Sequence, residues 1–204
     1  MTVNQIPASG VLRTGRLVLH PLGMGDHAAL LAHWSAPQVR LHLFEDRRGG
    51  GRISPERVTG IIEASRRDFA TEGYGLWALR PAAPGGGPDP APGDAPLLGV
   101  TGLRRQAGPD GVDAEIVYSL EPARWGQGLA AEAARAVLGY AFEVVGLRRV
   151  TAEIDVRNAA SIDVAERLGM RRCGDDPDGP VQYAAERRAW HGSSGHSARS
   201  SSPP

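Results

Sequence analysis

The sequence predicts an α/β protein of the α+β kind, with a mixed, mostly antiparallel central sheet flanked by helices. Three observations support this. Apolar periodicity switches between the two-residue repeat of strands and the 3.6-residue repeat of helices, in the order β-α-α-β-β-β-α-β-α-β-β. Parallel pairing is required only where a helix intervenes, from the strand ending at Leu120 to the strand starting at Arg148. Finally, "PARWGQG" (residues 122–128) runs straight into an alanine-rich helix, so bare backbone amides gather at a helix entrance. Such an entrance binds anions, usually phosphate.

Each element has its own signal. "RLVLHPL", from Arg16 to Leu22, is a short strand ended by Pro21. A helix follows over residues 26–36, with Asp26 as N-cap and Leu30, Leu31 and Trp34 on one stripe. In this helix Trp34 reads as a packing residue and His33 as its exposed neighbour. The second helix has Ser54 as N-cap, Pro55 at its first position, a stripe of Val58, Ile61, Ile62, Ser65 and Phe69, and Gly73 as stop. Three strands come next, from Tyr74 to Arg80, Leu97 to Arg104 and Val112 to Leu120. A long helix from Gln127 to Val145 is closed by Gly146. Arg148 to Val156 alternates as a strand, and a compact helix then runs from an Asn158 cap to a Gly169 stop. Two short strands, Met170 to Cys173 and Val181 to Ala185, complete the series.

Composition narrows the function. The 23 basic and 23 acidic residues balance, so overall charge argues for neither a nucleic acid nor a membrane partner. A single cysteine, Cys173, leaves no internal disulfide and no multi-cysteine metal site, and no metal is expected. The first 30 residues lack a basic-then-apolar leader, and no apolar run approaches the ~20 residues that span a bilayer, so the expected location is cytoplasmic. Residues 81–96, little but Pro, Gly, Ala and Asp, are expected to be a disordered loop inflating a hairpin. The polar stretch 191–204 is expected to be a disordered tail. One domain, residues 1–190, is left, with about 175 residues to build a core.

The identity of the phosphate is a separate question. "GQGLAA" matches a dinucleotide fingerprint through Gly126, Gly128 and Ala131, and Asp155 stands where a ribose-binding acid could be. However, "SLEPAR" separates those glycines from their strand, and fewer than 80 residues remain to complete a nucleotide fold. The other reading has the Trp125–Ala130 turn wrapping a pyrophosphate, with the Val112 strand beside it.

The segment from "AEIVYSLEPARWGQGLAAEAARAVLGY" to "NAASIDVAERLGMRRCG" resembles the GNAT superfamily of acetyl-CoA-dependent N-acetyltransferases. Within it, the chain is similar to the branch of ribosomal-protein N-terminal alanine and serine acetyltransferases, a likeness spanning roughly residues 12 to 174. The resemblance implies a GNAT-like sheet with a splayed parallel pair at the cofactor cleft. It also makes Trp125, Gly126, Gln127, Gly128, Leu129 and Ala130 the acetyl-CoA loop, with Trp125 in place of the usual Gln or Arg. "NAASIDVAERLGM" resembles the segment lying against the pantetheine arm, so Asn158 is implied to touch that arm as well as cap its helix; Met170 stands where Phe is usual. Between Cys173 and Tyr183, "GDDPDGPVQ" is shorter than the family's loop, which bears on the acceptor pocket.

Acetyl transfer to an amine sets three requirements: removal of a proton from the amine, stabilisation of the carbonyl oxygen and protonation of the leaving thiolate. Glu115, in the strand before the loop, resembles the family's strand carboxylate and is the candidate base, with Glu153 and Asp155 as minor alternatives. The backbone amides of Val117 and Tyr118, presented by a bulge common in this family, are candidate oxyanion donors. By alternation Glu115, Val117 and Ser119 share one face, and Ile116 and Tyr118 the other. Ser161 and Tyr183 compete as proton donor. The expected partners are acetyl-CoA and an amine acceptor, either a small molecule or a protein N-terminus, handled by a monomer or homodimer. A sensor module that holds acetyl-CoA without turnover is the competing function.

Overall fold

The computed structural model describes residues 10–40, 53–83, 85, 87–89, 94–108, 111–175 and 180–193. Among these residues the apolar alternation yields strands β1 (Leu12–Arg13), β2 (Leu17–Pro21), β3 (Leu76–Pro81), β4 (Gly99–Gly108), β5 (Gly111–Leu120), β6 (Arg149–Ile154), β7 (Arg171–Asp175) and β8 (Val181–Glu186). They form one sheet in the spatial order β1-β2-β3-β4-β5-β6-β8-β7. Every neighbouring pair is antiparallel except β5–β6. The helices are α1 (His27–Ser35), α2 (Pro37–Arg40), α3 (Pro55–Thr71), α4 (Leu129–Tyr140), α5 (Ala159–Arg167) and α6 (Arg187–Ser193). No described helix is long and apolar enough to cross a membrane.

Alternation along the strands divides the core into two layers. Trp77 and Leu79 of β3 pack with Ile116, Tyr118 and the helix residues Ala133, Val137 and Ala165. The alternate residues, Leu76 and Ala78, pack with Leu30 and Trp34 of α1 and with Val58 and Ile62 of α3. Val117 joins this second layer, so odd and even residues of β5 face opposite sides, as the period of two dictates. Trp77 is wholly buried; Phe69 and Tyr140 meet it edge to face, and its indole N–H donates to the Gly10 carbonyl at 2.7 Å.

Several local expectations are revised. Asp26 does not cap α1 through its side chain. It is buried, ion-paired with the equally buried Arg80, and accepts the Gly23 N–H at 2.9 Å. Ser54 and Asn158 do cap their helices, accepting from Arg57 N–H at 3.2 Å and Ser161 N–H at 3.1 Å. The long helix changes character after Tyr140, continuing as a π turn through Val145 to Gly146 at φ 81°. Strand β1 and helix α2 had no clear sequence signal. Of the segment 81–96, Pro81 ends β3, and Arg13 pairs with Asp89 and donates to the Gly87 carbonyl at 3.2 Å. Residues 84, 86 and 90–93 lie outside the described residues, as do 194–204 of the expected tail. Helix α6 runs past the boundary set at residue 191, anchored by Trp190 against Phe142 at 5.7 Å.

The feature that makes a site is the parting of β5 and β6. They pair only through Ala114 with Val150 and Glu115 with Thr151. Beyond that point β6 remains bonded to β8 on its other side, through Ile154 with Val181. The bulge expected in β5 is absent: its register with β4 is continuous from Gly108–Gly111 to Gly99–Leu120. The opening therefore comes from divergence of β6, not from a kink in β5.

Gly102 of β4 lies where β3 and the residue before it cross closely. A Cβ there would strike the Gly75 carbonyl oxygen and lie 2.6 Å from Leu76 Cα, both backbone atoms that cannot swing aside. Gly102→Ala is expected to cost ~1–3 kcal/mol or more, as overpacking does. Thermal unfolding should register this as a fall in Tm of at least about 2–4 °C per kcal/mol. An unchanged Tm would mean that β3 and β4 do not meet in this register.

Candidate functional site

The loop after β5 is shaped by two glycines. Gly126 (φ 72°) and Gly128 (φ 73°) both adopt the left-handed conformation, which side chains with a Cβ rarely tolerate. A Cβ on Gly126 would meet nothing within 4 Å, and one on Gly128 only Arg16 Nη2 at 3.7 Å. The space in front of the loop is thus open, and α4 begins directly at Leu129 with its N–H groups directed towards it. Trp125 donates its indole N–H to the Leu120 carbonyl at 2.8 Å, tying the turn to the end of β5.

A clamp behind the loop went unnoticed in the sequence. Arg16 donates to the Gln127 carbonyl at 2.8 Å and, through Nε, to Glu132 Oε2 at 2.6 Å. Glu132 Oε1 accepts from the Arg16 N–H at 2.9 Å and the Thr14 hydroxyl at 2.6 Å. Burial raises the Glu132 carboxyl pKa, but hydrogen bonds from Thr14 and Arg16 outweigh it, and the net shift is downward. The anionic Glu132 in the first turn also suits the helix dipole. This clamp spans more than 110 residues of sequence, a separation at which no local pattern gives notice.

In front of the loop, the gap between β5 and β6 widens into a cavity of about 470 Å³ that reaches both faces of the sheet. Glu115, Val117 and Ser119 line it from the α1 side together with Val39 of α2. Tyr118, Leu129, Asn158 and Ser161 line it from the α4–α5 side. Glu153 of β6 and Asp155, just after it, also line it. Asp155 is buried and accepts the Arg157 N–H and guanidinium, both at 2.8 Å, so it shapes the turn into α5.

Of the residues nominated from sequence, Glu115, Ser161, Val117, Tyr118, Trp125, Gly126, Gly128, Leu129, Ala130 and Asn158 all line this cavity. Two do not. Gln127 turns back, its amide donating to the Ala123 carbonyl at 3.0 Å. Tyr183 is buried on β8, where its hydroxyl donates to Glu166 Oε1 at 3.3 Å, away from the cavity. Tyr118 donates its hydroxyl to the Ser161 carbonyl at 2.9 Å, bridging β5 to α5; burial drives its phenol pKa upward and keeps it a donor.

His33 is a correction. It is 1% exposed, not an exposed neighbour. Its Nδ1 lies 2.9 Å from Glu121 Oε1 and its Nε2 2.9 Å from the Ser119 hydroxyl, which also accepts the Trp34 indole N–H at 3.3 Å. The apolar stripe of α1 gave no hint of this, because the partners lie more than 80 residues away. Burial lowers the His33 pKa, and the Glu121 carboxylate opposes that only in part. Among the described residues, no group of three or more His, Cys, Asp or Glu could hold a metal ion.

A sheet pried open beside a glycine loop and a helix N-terminus is the architecture of acyl-CoA-binding transferases of the GNAT type. Residues 16–171 match the acetyltransferase (GNAT) domain family, and the chain belongs to it. An FsC-acetyl coenzyme A-N(2)-transacetylase of Aspergillus fumigatus is 34% identical over 92 residues, covering 37% of each protein. The uncharacterized protein YkkB of Bacillus subtilis is 42% identical over 74 residues, 36% of this chain and 43% of that protein. The chain thus spans less than half the length of these curated relatives. Among solved structures, a protein assigned to the GNAT family from Bordetella pertussis superposes with a TM-score of 0.66 at 26% identity, covering 85% of this chain and 96% of the other. A protein assigned as a ribosomal-protein-serine acetyltransferase from Vibrio cholerae shares the fold (TM-score 0.59, 16% identity, 86% and 97% coverage).

Two predictions follow from the loop and the buried histidine. Gly128→Val forces a β-branched residue to positive φ, costing ~1–3 kcal/mol of stability. It should abolish coenzyme A binding while the protein still folds; unchanged affinity by calorimetry would remove the loop from the binding site. His33 has a lower pKa folded than unfolded, so the unfolded chain takes up its proton first as pH falls. Its stabilisation is full above the unfolded value of ~6.5 and is lost as pH falls below it through the folded pKa. Between pH 7.5 and 5 the wild type should lose more Tm than His33→Gln, and equal losses would show that His33 is not held neutral.

Proposed function

We propose that the protein transfers an acetyl group from acetyl-CoA to a primary amine by direct attack of the amine on the thioester. The observation carrying this is the edge of β5 from Ile116 to Leu120, which among the described residues has no strand partner on its β6 side and runs from the glycine loop to Glu115. An amide-bearing pantetheine arm laid along such an edge pairs as an added strand would. Its pyrophosphate then meets the amides of Gly126 to Ala130 at the α4 N-terminus. Coenzyme A supplies the activated acetyl group; the chain does the rest.

In this reading Asn158 holds the start of α5 against the arm, and the Tyr118 amide receives the carbonyl oxygen as it gains charge; without a bulge the neighbouring Val117 amide points the other way, towards β4. Glu115 takes a proton from the entering ammonium, directly or through one water. Ser161 is the sequence-nominated donor to the thiolate on the α5 side. The name of the Aspergillus relative, an acetyl coenzyme A transacetylase acting at a nitrogen, supports the donor and the acceptor atom. Resemblance to the ribosomal-protein branch tilts the acceptor towards a protein or peptide α-amine over a small-molecule amine, with the protein acting in the cytoplasm as a monomer or homodimer.

Incubation with acetyl-CoA and a panel of amines, read by thiol release and by product mass, tests the reading against that of a non-catalytic acetyl-CoA sensor. Binding without thiol release for any amine would favour the sensor. For an accepted amine, Glu115→Gln should lower kcat ~10²- to 10⁴-fold, the scale of a general base. Acetyl-CoA affinity should hold, and raising the pH should restore part of the rate because more amine arrives neutral. Wild-type turnover at pH 7 would make Glu115 a bystander.

A further inference from the structure

The cluster of His33, Ser119 and Glu121 has a polarity fixed by chemistry. A carboxylate only accepts hydrogen bonds, so the 2.9 Å contact from Glu121 places the imidazole proton on Nδ1. Nε2 of the neutral ring must then accept, and the Ser119 hydroxyl donates to it at 2.9 Å. The Trp34 indole N–H, a donor only, takes one lone pair of the same oxygen. Ser119 keeps a second lone pair, and it lines the cavity one residue beyond Tyr118, on the α1 side of the sheet. Glu121 is the charged group whose field acts on His33, and its side chain is 37% exposed, so the chain of hydrogen bonds runs from the cleft to solvent.

We propose that Ser119, relayed by His33 and held by Glu121, shuttles a proton from the attacking nitrogen to the departing sulfur. This rests on the acetyl-transfer reading above and gives the proton transfer to sulfur, which Glu115 does not perform, to Ser119 in place of Ser161. When the neutral amine attacks, the C–N bond forms, the carbonyl π pair moves to oxygen, and the nitrogen becomes cationic and acidic. Its proton passes to Ser119 Oγ as the Oγ–H passes to His33 Nε2, leaving an imidazolium opposite Glu121. The oxygen pair then re-forms the carbonyl, the C–S bond breaks with its pair on sulfur, and the proton returns through Ser119 to give the thiol. Atoms and charges balance: amine plus acetyl thioester yields amide plus thiol, and the relay ends as it began. Ser119 is the catalytic residue here, and His33 and Glu121 are positioning residues acting through it.

The decisive variant is His33→Gln. A glutamine amide can accept from Ser119 and donate to Glu121, so it reproduces both hydrogen bonds yet cannot carry a proton. With an accepted amine, it should bind acetyl-CoA as the wild type does but lose about 10²-fold or more in kcat. The acid limb of the wild-type kcat profile assigned to His33, with a midpoint below ~6.5, should vanish. Glu121→Gln removes the charge that favours the imidazolium, so it should lower kcat and move that limb to still lower pH. Ser119→Ala should match His33→Gln. If His33→Gln does not fold, the Glu121→Gln and Ser119→Ala profiles decide the matter. A folded His33→Gln with wild-type kcat and an unchanged acid limb would overturn the relay while leaving the transferase intact. A wild type that acetylates no amine would overturn both.

Discussion

Parallel strands β5 and β6 stay bonded for two residue pairs and then separate, and most of what the molecule can do depends on that separation. A sheet interior ordinarily satisfies every backbone N–H and C=O through its neighbours. Here β6 is committed to β8 along its whole length, while β5 is committed to β4 by an unbroken register. Neither can bend to rejoin the other. Side chains of the α4–α5 layer brace the gap: Tyr118 reaches the Ser161 carbonyl across it, and Leu129 at the start of α4 packs in the same layer. One strand edge is left for a ligand that presents amides.

The loop that would hold the ligand's phosphates is rigid for reasons outside itself. Its glycines supply the left-handed turns, but its position is set by Arg16 and Glu132, which tie the residues before β2 to the first turn of α4. Arg16 is about half exposed, so the ion pair itself contributes little stability, ~0–1 kcal/mol at most. The contact instead fixes the Gln127 carbonyl backwards, leaving the loop's N–H groups to face the opening. The segment before β2 is thereby fastened to the start of α4.

The fold was largely legible because it depends on periodicity. Every strand and helix longer than four residues, apart from the terminal α6, announced itself through an apolar repeat, a cap or a stop, and Ser54 and Asn158 cap as expected. The loop side of the cavity was legible too, since Gly126, Gly128 and Asn158, which line it, sit within short motifs. What the sequence concealed is the set of contacts between distant segments. His33 looks like any helical histidine until the end of β5 is folded against it, and Asp26 looks like a cap until Arg80 is buried beside it. Tyr183 is the opposite case: a tyrosine on the last strand suggested chemistry, but its hydroxyl donates to Glu166 and it does not line the cavity.

Position along β5 also separates the two acidic and basic functions that acetyl transfer needs. Glu115 and Ser119 share one face of the strand, four residues apart, which is about 13 Å at the rise of a β-strand. No single nitrogen can touch both. A carbonyl oxygen held by the Tyr118 amide puts the reacting carbon beside Ser119 and three residues from Glu115. In the proposed reaction Glu115 would take a proton from an ammonium on its way in, and water would carry that proton off. The point of attack requires a group whose basicity matches a cationic nitrogen bonded to a tetrahedral carbon, and that must return the proton to sulfur before it is lost. A neutral imidazole shielded from water meets both demands, and a serine between it and the cleft lets the ring stay buried. The division would follow from geometry: the carboxylate stands where β5 and β6 are still paired, and the histidine lies behind Ser119 on the unpaired stretch.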